Sequence, residues 1–310
     1  MPQPSAEELP YLFRNQAFAI CFREVRAPHL SVLRLFPDPD KTVTFLPWDV
    51  FDGVPALKVV IASHDYRPLD GAALEAVGAA LRHGGLRNLQ EIELVCYPVA
   101  DGAVSKFMGD LKASGCSERL VVLKFRECDI GLEGVLAVAQ LLCQDAFPSL
   151  KKLHFGPDVD IRDVGIVPLV EALLKATHTL LTSVVLDTVE MGDEGMIALA
   201  PLIDQSRMDQ LTYLHLCGSA CETDQGISAL ARAIEARGLP KLKELDLSGL
   251  NVENVAIQGI RDIAQTFIKS CPRLEKINLR GTRRGDVSIY SDLVRGVLRA
   301  AGLAKKVKVH

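Results

Sequence analysis

Histidine and cysteine offer the most versatile chemistry at neutral pH, and His215-x-Cys217-x-x-x-Cys221 gathers three of them in one short stretch. Both are soft ligands, so metal binding is the first chemistry to weigh. The eight cysteines, at positions 21, 96, 116, 128, 143, 217, 221 and 271, form no CxxC pair and no cluster at zinc-finger spacing. They read as reduced, mostly buried thiols that behave as small hydrophobes. For nucleophilic or acid-base catalysis the seven histidines, at 29, 64, 83, 154, 178, 215 and 310, are scattered and gather with no nucleophile. No G-x-S-x-G elbow, P-loop, H-E-x-x-H or dinucleotide glycine fingerprint stands in the required setting. The expectation is a chain without catalytic residues, cofactor or metal.

The elements that position these residues follow from an internal repeat. L-x-x-L-x-L, or a conservative version, returns at Leu89-x-x-Ile92-x-Leu94, Leu120-x-x-Leu123-x-Phe125, Leu150-x-x-Leu153-x-Phe155, Leu181-x-x-Val184-x-Leu186, Leu211-x-x-Leu214-x-Leu216, Leu242-x-x-Leu245-x-Leu247 and Leu274-x-x-Ile277-x-Leu279. The steps between first positions are 31, 30, 31, 30, 31 and 32 residues. Weaker copies stand at Ala56-x-x-Val59-x-Ile61 and Ala304-x-x-Val307-x-Val309, so the array spans residues 56–310. Leu30-x-x-Leu33-x-Leu35 also fits, but the three prolines between Phe36 and Trp48 forbid an ordinary helix after it. Residues 1–55 are assigned to an N-terminal cap.

Apolar residues at the fourth and sixth motif positions share one face of an extended chain, which predicts a strand. Spacing of three and four then takes over in Gly134 to Leu142, Ile197 to Ile203 and Ile227 to Ile234, which predicts helices. A Gly recurs just before the helical apolar run at Gly102, Gly134, Gly165, Gly195, Gly226 and Gly259. Its constant place in the unit indicates close backbone packing. Gly84-Gly85, Phe147-Pro148, Leu239-Pro240 and Cys271-Pro272 end the helices.

These residues resemble the ribonuclease-inhibitor-like class of leucine-rich repeats, whose units carry L-x-x-L-x-L, a later Leu and a Gly-started helix. The resemblance covers about four-fifths of the chain and implies an α/β solenoid, or horseshoe, with a parallel inner β-sheet and outer α-helices. It also implies work by binding a protein, because a unit this short buries its apolar face only against neighbours and leaves an extended concave sheet surface. The Ran-activating proteins resemble the same class, which makes GTPase activation the alternative; the basic ending Lys305-Lys306-Val307-Lys308 departs from that family's acidic tail. The class places Asn or Cys three residues after the last motif Leu. Here Tyr97, Cys128, Asp158, Val189, Ser219, Leu250 and Thr282 hold that place, and only Cys128 fits, so another group must cover the backbone at Val189 and Leu250.

With the motif leucines inward, the intervening residues face the concave side. The fifth position reads Glu93, Lys124, His154, Val185, His215, Asp246, Asn278 and Lys308. The position after the motif reads Val95, Arg126, Gly156, Asp187, Cys217, Ser248, Arg280 and His310. From these columns, with Tyr213 as an aromatic anchor, we take Glu93, Lys124, Arg126, His154, Asp187, Tyr213, His215, Asp246, Asn278 and Arg280 as the candidate partner-binding residues. The same alternation puts His215 and Cys217 on that face but sends Cys221, equivalent to Ile130 and Met191, into the core, which argues against a metal site. A net charge of −4 selects no polyanionic partner, although Arg280, Arg283, Arg284, Arg295 and Arg299 crowd the C-terminal end. With no basic-then-apolar leader and no long uncharged apolar run, a cytoplasmic or nuclear setting is expected, without a membrane.

Overall fold

The structure is a computed structural model that describes residues 32–35, 57–62, 72–84, 86–95, 101–128, 130–157, 161–177, 180–221, 223 and 225–249, with shorter stretches at 265–266, 269–278, 295–296, 299 and 308–309. Strand and helix alternate through most of it: β1 (Val32–Leu35), β2 (Leu57–Ala62), α1 (Ala72–Arg82), β3 (Leu89–Val95), α2 (Asp101–Ala113), a 3-10 turn at Cys116–Arg119, β4 (Val122–Arg126), α3 (Leu132–Cys143), β5 (Lys152–Phe155), α4 (Arg162–Lys175), β6 (Ser183–Leu186), α5 (Asp193–Asp204), β7 (Tyr213–His215), α6 (Gln225–Arg237), β8 (Glu244–Asp246), β9 (Lys276–Asn278) and β10 (Lys308–Val309). The ten strands form one parallel sheet in sequence order, open at both ends. This is a leucine-rich-repeat solenoid.

The register follows the motif. Ile92, Leu123, Leu153, Val184, Leu214, Leu245 and Ile277 stand opposite one another across β3 to β9. All seven are buried beneath the helices, because a strand buried on one face places its large aliphatics at alternate positions. The sixth position continues that core through Leu94, Phe125, Phe155 and Leu186, and the rings of Phe125 and Phe155 stack with centroids 5.1 Å apart. Neighbouring helices pack in series from α1 to α6. At one end Leu33 of β1 pairs with Val59, while the rest of residues 1–55 lies outside the described residues. At the other end Val309 pairs with Ile277, where the spacing of the last weak motif predicts Val307, so the pairing of β10 is displaced by two residues.

The recurrent Gly has a specific cause. Asp163, in the first turn of α4, reaches across to the next unit, where its Oδ1 accepts from the backbone N–H of Gly192 at 2.7 Å and of Gly195 at 3.0 Å. Asp193 repeats this one unit later, accepting from Gly226 N–H at 2.8 Å, Thr223 N–H at 2.9 Å and the Thr223 hydroxyl at 3.0 Å. The first N–H groups of α5 and α6 are therefore capped by a carboxylate from the helix before, where the helix dipole also favours negative charge. A side chain at Gly195 or Gly226 would collide with that carboxylate: an added Cβ would lie 2.6 Å from Asp163 Oδ1, or 2.8 Å from Asp193 Oδ1. At Gly102 nothing lies within 4 Å, so close packing does not explain the Gly there. Gly259 lies outside the described residues. The opposite helix ends use a cation: Arg207 donates to the carbonyls of Leu174 at 2.8 Å and of Ala176 at the C-terminus of α4.

The turn after each strand is covered from within. The Cys128 thiol donates to the Arg126 carbonyl at 3.1 Å, and buried Ser219 donates to the Leu216 carbonyl at 2.7 Å. Ser219 thus also covers a turn carbonyl, that of the last motif residue, one place earlier in the unit than the carbonyl Cys128 reaches. At Val189, which has no polar side chain, the carbonyl accepts from Arg162 N–H at 3.0 Å. Leu250 lies outside the described residues.

Candidate binding face

Strand alternation sends the third, fifth and seventh residues of each unit to the sheet face opposite the helices. Nine of the ten residues expected there stand on or immediately after described strands; Arg280 lies outside the described residues. They form two groups that differ in how far their charges are already paired.

On β2 to β5 the ion pairs centre on Glu93. Lys58 approaches Glu93 at 2.6 Å and Glu91 at 3.8 Å, and Arg126 meets Glu93 at 3.5 Å. Glu93 is only 7 % exposed. Burial opposes its ionisation, but the Lys58 hydrogen bond and the charges of Lys58, Lys124 and Arg126 outweigh it and hold the carboxyl below its ordinary pKa. Lys124 stands between Glu93 and His154 in the same column. The His154 ring bonds the Ser183 hydroxyl at 2.9 Å, and burial, followed by the charges of Lys124 and Lys152, pushes its pKa down to about 4.

On β6 to β8 the valences are less complete. Asp246 accepts from Asn278 Nδ2 at 2.8 Å and from Ser248 N–H at 2.8 Å, and Ser248 donates to Cys217 Sγ at 3.2 Å. Glu244 meets Lys276 at 2.6 Å and lies 3.5 Å from His215 Nε2. At that last separation no hydrogen bond forms, and His215 Nε2 is, like Asp187 Oδ1, a buried atom with no hydrogen-bond partner. Burial raises the Asp187 pKa and the Asp246 charge adds to it, against the opposing pull of a protonated His215 and the Cys217 backbone N–H. Tyr213, beside them, is 43 % exposed.

The metal-like spacing comes apart. Cys221 is buried in the core as Ile130 and Met191 are, and burial pushes its thiol up to about 12. Cys217 stays on the opposite face, where burial and then the carboxylates of Asp187 and Asp246 raise its pKa despite the Ser248 bond, so it remains a neutral thiol. Among the described residues no group of three His, Cys, Asp or Glu could hold a metal ion. Lys58, Glu91, Lys152, Ser183, Glu244 and Lys276 belong to the face but were not anticipated. The signal was present: the third motif position has the same strand parity as the fifth, and only Tyr213 was read from it.

His154 makes the face sensitive to acid. Its ring resists protonation in the fold but accepts a proton near pH 6.5 once unfolded, so the unfolded state binds more protons as pH falls and stability is lost between pH 6.5 and about 4. Each pKa unit corresponds to about 1.4 kcal/mol, and partial exposure discounts the total to roughly 1–2 kcal/mol. His154→Gln, which can keep the Ser183 bond, is expected to remove that share of the pH dependence. Urea unfolding at pH 7.5 and 4.5 measures it, and equal losses in both proteins would refute the assignment.

No protein-family model matches the sequence, and no curated protein matches it. Among solved structures the chain is similar to the crystal structure of the Rad7 and Elc1 complex in yeast, with a TM-score of 0.28 and 15 % identity, over 90 % of this chain and 84 % of that one. It is also similar to the TLR13–ssRNA13 complex, with a TM-score of 0.32 and 14 % identity, over 82 % of this chain and 46 % of that one. No helix among the described residues is long and apolar enough to cross a membrane.

Proposed function

We propose that this chain is a non-catalytic binding module that holds a protein partner on the open face of its sheet, as an adaptor or scaffold. The observation that carries this reading is the exposed Tyr213 ring on a sheet face where Glu244 stands opposite it and His215 and Asp246 stand two residues further along. An aromatic ring on a rigid sheet costs little entropy to immobilise, and charged neighbours at its rim supply orientation, which is the composition that anchors protein interfaces. The Cys217 thiol, which burial holds neutral, supports the non-catalytic reading.

The test is capture of partners by proximity labelling or pull-down, with Tyr213→Ala, His215→Ala and Asp246→Ala combined against the unmodified chain. Partners are expected to be lost while the circular dichroism spectrum is unchanged. If every partner remains bound, the open face is the wrong surface and the helical or loop edges take its place. GTPase activation, the rival reading, is decided by GTP hydrolysis of a panel of small GTPases, which is expected not to accelerate on adding the chain.

A further inference from the structure

The open face sorts its charges by strand. The three alternate residues of β4 and its end are Val122, Lys124 and Arg126, and those of β5 are Lys152, His154 and Gly156: three cations and no carboxylate. The corresponding residues of β6, β7 and β8 are Ser183, Val185 and Asp187, then Tyr213, His215 and Cys217, then Glu244, Asp246 and Ser248: three carboxylates and no Lys or Arg. Lys276 on β9 closes the acidic band on its far side, and Glu93 with Lys58 closes the basic band on its near side. Two buried groups register the two fields. His154 is disfavoured as a cation by burial and then by Lys124 and Lys152, and Asp187 is disfavoured as an anion by burial and then by Asp246.

From this juxtaposition of a basic β4–β5 band and an acidic β6–β8 band we infer that the partner is an extended protein segment of ordered charge, acidic residues against Lys124, Arg126 and Lys152 and basic residues against Asp187, Glu244 and Asp246. The inference rests on the open face being the binding face and specifies the chemistry of what binds there. Parallel strands lie about 4.8 Å apart, so the band centres are separated by roughly 12 Å. An extended segment advances about 3.3 Å per residue, so its two charge blocks must be centred about four residues apart. A nucleic acid, anionic along its whole length, would meet repulsion over the acidic half. A basic residue lying over the start of β7 has Glu244, paired with Tyr213 across the strands, for its charge and the exposed Tyr213 ring for its flat face.

Fluorescein-labelled peptides binding to the full chain at low salt provide the test, read by anisotropy. The probes are a Glu pair and an Arg pair joined by about two neutral residues, so that their centres lie about four residues apart, its charge-shuffled isomer, and versions carrying Glu only or Arg only. The block peptide is expected to bind roughly tenfold more tightly than its isomer, and the gap should close as salt shortens the screening length. In the Lys124→Glu/Lys152→Glu double variant the preference should pass to the Arg-only peptide. Equal binding of isomer and block peptide, tighter binding of a one-sign peptide to the unmodified chain, no peptide binding, or a block preference untouched by the double variant would each overturn the inference. If the Tyr213, His215 and Asp246 substitutions still release protein partners when the block preference is absent, the binding face stands and only its polarity is wrong.

Discussion

Gly156→Ala is expected to cost about 3–5 kcal/mol and to loosen the solenoid between β5 and β6. Gly156 sits at φ +121°, a backbone region that side-chain-bearing residues rarely enter, with a penalty of about 1–3 kcal/mol. An added Cβ would lie 1.9 Å from the carbonyl oxygen of Asp187 and 2.7 Å from its carbonyl carbon. That obstacle is backbone of the next unit and cannot rotate aside, so the overlap adds a further penalty of about 1–3 kcal/mol. The displacement would be transmitted directly to Asp187, whose N–H donates to Phe155 O at 2.9 Å, and so to the open face of the sheet. Chemical denaturation should show the loss, and amide exchange should show weakened protection on β6. Gly109→Ala is the control: Gly109 lies in α2 with nothing within 4 Å, so the better helix former is expected to be neutral or to stabilise by up to about 1 kcal/mol. If both substitutions behave alike, the clash is not the cause.

Asp193→Ala is expected to cost about 2–4 kcal/mol. One carboxylate accepts from Gly226 N–H, Thr223 N–H and the Thr223 hydroxyl, so truncation leaves the start of α6 without its acceptor. Loss of a helix cap alone removes about 1 kcal/mol, and hydrogen bonds to a charged group contribute about 1.5–3 kcal/mol. In a stacked array each unit is stabilised chiefly by its neighbours, so the damage should concentrate at the α5–α6 boundary. Hydrogen exchange should report faster opening of the first turn of α6 than of α3, and Asp193→Asn, which retains an acceptor oxygen, should recover part of the loss. Unchanged exchange at Gly226 would show that the cap contributes nothing.

Much of the architecture was legible because it rests on short-range pattern. A thirty-residue recurrence of aliphatics, alternating and then spaced by three and four, sets strand, helix, register and the inward path of Cys221. The role of the recurrent Gly was legible only in outline. Its cause at Gly195 and Gly226, a carboxylate arriving from the previous helix, involves residues about thirty positions upstream. The sequence signal is nonetheless regular, an Asp two places before the Gly in Asp163-Val-Gly165, Asp193-Glu-Gly195 and Asp224-Gln-Gly226.

The open sheet face divides in the same way. Side-chain parity along a strand is a local property, so the sequence alone assigned Tyr213, His215 and Asp246 to one surface. Parallel strand stacking brings residues about thirty apart within reach, and this decided which polar groups are spent on each other: Lys58 and Arg126 on Glu93, Lys276 on Glu244, and the Asn278 amide on Asp246. Asp187 and His215 came out differently. Both belong to columns read from the motif, yet only burial and the positions of Glu244 and Asp246 around them determine that each keeps a buried polar atom without a hydrogen bond. Burial patterns are written along the chain, whereas electrostatic compensation depends on distances across it.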